Sequence, residues 1–183
     1  MRELRDLATK LLSEGTVQVV IGWEEGPRGV RPAFVTDPAA ARSLVFDERC
    51  TQNLVPYLSP RRTHVAKLGK PAVVVKGCDA RAVAGLVRET QLRREDVVVI
   101  GVRCGGVVAD PASLEALSPA TVADRCPGCT AREPHLADHV VGEMPPPPPA
   151  ESRRDARITE LEKLGPEARW AFWQEELGRC VRC

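Results

Sequence analysis

The amino-acid sequence predicts an α/β protein: a partly parallel sheet with flanking helices, a loop-rich cysteine-bearing segment and a helical tail. Three features carry that expectation. "PAVVVK" (71–76) and "DVVVIGV" (96–102) are unbroken apolar runs, the pattern of strands buried on both faces of a parallel sheet. Between them, Asp79 to Gln91 carries Ala82, Val83, Leu86 and Val87 at helical spacing, which makes a β–α–β unit. "MPPPPPAES" (144–152) then reads as a stiff polyproline II spacer, set before a charged helical end.

The remaining elements follow in order. Residues 1–13 place Leu4, Leu7, Ala8, Leu11 and Leu12 on one face of a helix that Gly15 stops. "TVQVVIGW" (16–23) is a strand and "EEGPRG" (24–29) a turn. "VRPAFVT" (30–36) is an edge strand, because Pro32 cannot donate to a central ladder. Asp37 is placed as an N-cap with Pro38 at the first helical position, so a short helix follows. "CTQNLVPYL" (50–58) is a short helix or turn broken by Pro56. After Val102 the chain is punctuated by Gly, Pro and Asp, with short helices expected at 111–117 and 119–124. Beyond the prolines come a charged helix at about 152–164 and a second from Pro166 to Leu177. The expected organisation is an α/β domain over 1–142, a Pro-rich linker over 143–152 and a helical tail over 153–183.

The chain has 183 residues, 28% of them charged, with a formal net charge of +1. That balance gives no reason to expect nucleic acid or an anionic membrane as the main partner. No apolar run approaches the ~20 residues that span a bilayer, and "MRELRDLATKLLSEG" lacks the apolar core of a signal peptide. A cytoplasmic protein is expected. Its 7 cysteines are an odd number without an export signal, which points to metal or redox chemistry rather than a disulfide framework.

Cys78 follows one buried strand and Cys104 the next. Adjacent parallel strands end at the same sheet edge, so both thiols are brought to one rim, where open α/β sheets bind their ligands. The start of the helix at Asp79 is expected to favour the Cys78 thiolate. Gly77, Gly105 and Gly106 are expected to let the backbone approach a bulky group. "CPGC" supplies Cys126 and Cys129 from one turn. Four thiolates suffice for a [4Fe–4S] cluster or a zinc ion. Cys50 reads equally well as an inert buried thiol. His135 and His139, with Asp138 beside them, would share a helical face, but Leu136 stands where the H-E-x-x-H motif has Glu. A solvated helix is the better reading there. Trp170, Trp173 and Leu177 form one helical stripe that suits packing on the main domain or a partner interface.

"VVVKGCDARAVAGLVRE", "VVVIGVRCGG" and "CPGCTAREPHLADHVVGE", preceded by "FDERCTQNLVPYL", together resemble the coenzyme F420 hydrogenase/dehydrogenase beta-subunit family. The resemblance is to its ferredoxin-like 4Fe-4S branch with a KGCD-R motif, and runs from about residue 45 to the end of the chain. It implies that Cys78, Cys104, Cys126 and Cys129 ligate a [4Fe–4S] cluster, and that Lys76, Gly77, Asp79 and Arg81 lie beside the cluster or a flavin phosphate, with FAD the flavin. The partners implied are the other redox subunits of a hydrogenase-, dehydrogenase- or heterodisulfide-reductase-like complex. "WAFWQEELGRCVRC" resembles the start of a ferredoxin-like domain in which further cysteines follow Cys180 and Cys183, so a C-terminally truncated sequence, or a partner supplying the missing ligands, is implied. The function expected is an iron–sulfur electron-transfer subunit of a cytoplasmic oxidoreductase complex, without an identifiable catalytic residue of its own. The competing expectation is a zinc-stabilised binding or scaffold module. Zinc would be held by Cys78, Cys104, Cys126 and Cys129, or by the two CxxC pairs at 126–129 and 180–183, which lie farther apart than the roughly 15–20 residues of a zinc ribbon.

Overall fold

The computed structural model of the chain describes residues 1–27, 29–112, 115–148 and 153–180. Helix α1 (Arg2–Ser13) turns Leu4, Ala8, Leu11 and Leu12 into the core. Strands β1 (Val19–Gly26) and β2 (Gly29–Val35) form a hairpin. A 3-10 turn over Pro38–Ser43 is opened by Asp37, whose carboxylate accepts the Ala39 N–H at 2.8 Å. Strand β3 (Leu44–Val45), a second 3-10 turn at Val55–Leu58 and the single-turn helix α2 (Thr63–Ala66) follow. Strand β4 (Pro71–Lys76) runs without a loop into helix α3 (Gly77–Arg88), and β5 (Val98–Val102) returns beside β4. A short strand, β6 (His139–Val141), precedes the tail helices α4 (Arg153–Glu162) and α5 (Pro166–Gly178).

These strands make one sheet in the order β2-β1-β4-β5-β6, with β3 also on β1. β1, β4, β5 and β6 are parallel, while β2 and β3 run antiparallel to β1. The expected α/β architecture, the β4–β5 neighbours and the edge position of Pro32 are all present. Val73, Val74, Val75, Val99 and Ile100 are fully buried, which is why those segments read as continuous apolar runs. The register pairs Lys76 with Val102 and Val102 with Val141, so three strands end level along one edge. A second, smaller core of Val107, Val122, Ala123 and Cys126 forms beyond that edge.

Several local expectations differ from the structure. β1 begins at Val19, because Gln18 is used as a connector: its backbone N–H donates to Lys70 O and its side chain accepts the Lys70 N–H, both at 2.9 Å. α3 begins at Gly77 rather than Asp79, with Lys76 still extended as its N-cap. Neither 111–117 nor 119–124 is helical among the described residues. There the Ser118 and Thr121 hydroxyls bond each other at 3.0 Å, and Thr121 Oγ1 donates to Ala116 O at 2.8 Å. Those local bonds compete with a helical ladder, and Val108 bridges Val122 instead.

His135 and His139 share no helix either. Asp138 is held at the sheet, its carboxylate accepting the Val99 N–H at 2.7 Å, and His139 opens β6. The proline segment is extended but does not stand clear of the domain: Pro145 and Pro148 are half-buried. The main core ends at Val141, and Trp170, Trp173 and Leu177 on α5 are exposed at 63%, 48% and 67%. Among the described residues no helix is long and apolar enough to cross a membrane.

Candidate functional site

The level strand ends build the site. Two residues beyond Lys76 stands Cys78, and two beyond Val102 stands Cys104, so the parallel register carries both to the same rim. The third contributor is the "CPGC" turn. Its Cys129 N–H donates to Cys126 O at 3.0 Å, with Pro127 and Gly128 (φ 71°) between them. Proline followed by a residue at positive φ is the requirement of a type II turn. The small core anchors this turn, since Ala123 N–H donates to Val107 O at 2.8 Å. Cys78, Cys104, Cys126 and Cys129 thereby line a single cavity of about 100 Å³.

The four thiols differ in setting. Cys126 is buried, Cys104 and Cys129 are half-buried, and Cys78 opens to solvent. Backbone N–H groups point at two of the sulfurs: Gly106 at Cys104 Sγ and Val107 at Cys126 Sγ, each 3.4 Å away. Such donors stabilise negative charge on sulfur. Desolvation pushes the Cys78 thiol up to about 11, because dense protein surrounds it on the sides that water does not reach. The Asp79 carboxylate adds to the rise, and Lys76 opposes it. Cys78 Sγ lies 3.7 Å from Asp79 Oδ1. The helix start therefore does not deliver the thiolate that the sequence suggests. Burial likewise raises the Cys104 thiol, against the Gly106 N–H and Lys76. Cys104 and Cys129 each raise Cys78, while Cys126 and Cys129 raise Cys104, as neighbours around one space must.

The residues expected beside a cofactor are largely committed to the protein. Lys76 is 2% exposed, and its ammonium donates to Cys50 O at 2.8 Å and Gln52 O at 2.9 Å while pairing with Asp79 Oδ2 at 2.8 Å. Gly77 does permit a close approach, but of the chain itself: a Cβ there would meet Ala131 O and stand 2.8 Å from Glu133 O. At Gly105 and Gly106 the close neighbours are again protein, Pro145 and Pro148 respectively. Arg81 is exposed on α3 and does not line the cavity. Cys50 is fully buried away from the cavity, and burial, the largest influence, pushes its thiol up to about 12. Cys180 is exposed, and Cys183 lies outside the described residues.

Sequence reasoning missed Arg125, Arg132, Val107 and Pro148, all of which line the cavity. Arg125 adjoins Cys126, a signal that was available. Pro148 carried none, because a proline run reads as spacer. Arg132 ties the segments together, donating to Cys104 O at 3.3 Å and to Pro145 O.

No family model matches the chain. Over 107 residues, 57% of its length, it is 30% identical to the F420-dependent formate dehydrogenase 1 subunit beta of Methanococcus maripaludis, and is a distant relative of that protein. It spans 27% of that relative's length. Among solved structures, a chain of the F420-reducing [NiFe] hydrogenase complex from Methanosarcina barkeri is similar at a TM-score of 0.46 and 19% identity, over 55% of this chain and 37% of that one.

The donor set fits an iron–sulfur cluster: four soft sulfur donors, N–H groups aimed at two of them, and apolar walls from Val107 and Pro148. Among the described residues no three His, Cys, Asp or Glu side chains are gathered closely enough to hold a single metal ion.

Proposed function

We propose that this chain is an iron–sulfur electron-transfer subunit, or a segment of one, in an oxidoreductase complex related to F420-dependent formate dehydrogenase. The observation that carries the proposal is the gathering of Cys78, Cys104, Cys126 and Cys129, from three separate segments, around one cavity at the rim of a parallel sheet. The distant relationship to a formate dehydrogenase beta subunit supports the same reading.

In this reading the four cysteines ligate a [4Fe–4S] cluster, which when bound supplies a one-electron relay. The Gly106 and Val107 N–H groups hold negative charge on the Cys104 and Cys126 sulfurs. Val107 and Pro148 keep water from one side. Cys78, open to solvent, faces the side from which a redox partner is reached. The proposal is confined to the cluster, because Lys76 and Asp79 are already bonded to the protein.

Anaerobic purification or reconstitution with iron and sulfide tests it. Brown protein with bound iron and sulfide is expected, with Cys78→Ser and Cys129→Ser losing most of the occupancy. Cys50→Ser and Cys180→Ser should keep it. Colourless protein with stoichiometric zinc would overturn the reading.

A further inference from the structure

Among the described residues, three cationic side chains border the cysteine cavity, and ligation needs none of them. Lys76 sits at the end of β4, almost completely buried, with its ammonium 4.7 Å from the centre of the Trp23 ring. Arg125 donates to Thr51 O at 3.2 Å, and Arg132 to the carbonyls of Cys104 and Pro145. The successive carbonyls of Cys50, Thr51 and Gln52 are thus divided between Lys76 and Arg125. Apart from the Lys76–Asp79 pair, the acceptors named are carbonyl oxygens, which fix a cation in place without cancelling its charge. The Lys76 ammonium is instead neutralised locally by Asp79 Oδ2 at 2.8 Å, which leaves the two arginines as the uncompensated cations of this set.

We propose that Arg125 and Arg132 form a fixed positive collar that raises the reduction potential of a cluster held by the four cysteines. The inference rests on the cluster reading. One-electron reduction adds one negative charge, forms and breaks no bond and moves no proton. The electron comes from an external one-electron donor, dithionite in the test below. A nearby cation stabilises the more negative state further, so the potential moves upward. Arg125 is exposed, so salt screens its share. Arg132 is half-buried, so its charge is screened less.

The test is a spectroelectrochemical titration of the full chain, reconstituted anaerobically with iron and sulfide and reduced with dithionite. Arg125→Gln and Arg132→Gln should each shift the potential downward. Arg125→Lys and Arg132→Lys, which keep the charge and alter the shape, should stay near the wild type. High salt should shrink the Arg125→Gln shift more than that of the half-buried Arg132→Gln. Loaded Gln variants at the wild-type potential would overturn the collar. So would Lys variants that shift as far as the Gln ones, since that marks a packing role. Metal analysis precedes the titration: a wild-type chain that takes up no iron and sulfide defeats the cluster reading itself, and the collar with it.

Discussion

Cys50 and Cys78 show how differently two thiols of one chain are used. Cys50 is sealed in the core, where burial pushes it up to about 12 from an ordinary 9.0. Between those values the unfolded chain has released a proton that the folded chain retains. Stability associated with this group is therefore complete below about pH 9 and falls as pH rises, by up to about 1.4 kcal/mol per pH unit. Cys50→Ala should flatten that part of the slope at a fixed cost of about 1 kcal/mol in packing, as read from urea denaturation at several alkaline pH values. Gly77 makes a second test, because a methyl group there meets two backbone carbonyls that cannot give way. Gly77→Ala should cost about 1–3 kcal/mol, checked by thermal melting of the metal-free protein. The positions of Cys78 and Cys104 were legible because two apolar runs fixed where the strands end. The charge state of Cys78 was not. A helix start contributes only part of a charge, and burial together with Asp79 outweighs it.

Among the elements, β6, like the two-residue β3 and the single-turn α2, is one that sequence periodicity could not find. It has three residues, two of them exposed, so it offers no apolar run to detect. What holds it is Asp138: its backbone N–H donates to Val99 O at 2.8 Å, and its carboxylate accepts from Val99 N at 2.7 Å and Arg94 at 2.6 Å. Although burial works against the charge, these donors win and hold the carboxyl below its usual range. Asp138→Ala should cost about 1–3 kcal/mol by leaving the Val99 N–H unpaired at the sheet. Hydrogen exchange at the β5–β6 pairing should quicken with it, and unchanged exchange would remove Asp138 from this role. Strands β4 and β5 were legible for the opposite reason, since burial on both faces writes itself into every position. The proline run shows the limit of composition. It correctly excludes helix and central strand, yet it says nothing of what the extended chain lies against, which here is Gly105 and Gly106.

At the scale of the molecule, the sheet with its rim holds one tryptophan and the tail holds the other two. Trp23 is 1% exposed, whereas Trp170 and Trp173 are open on α5. Acrylamide should therefore quench mainly the tail, and replacing both tail tryptophans by Phe should leave a blue-shifted, weakly quenched emission from Trp23. Strong quenching of that remaining fluorophore would contradict the fold of β1 against the core. The proline segment has a further consequence, for the order of events during synthesis. The sheet edge and the "CPGC" turn are complete once Val141 has emerged, but Pro145 and Pro148 come later and settle over Gly105 and Gly106, held there by Arg132. On a chain growing from its N-terminus, all four cysteines have thus emerged before Pro148, the last residue to join the wall of their cavity.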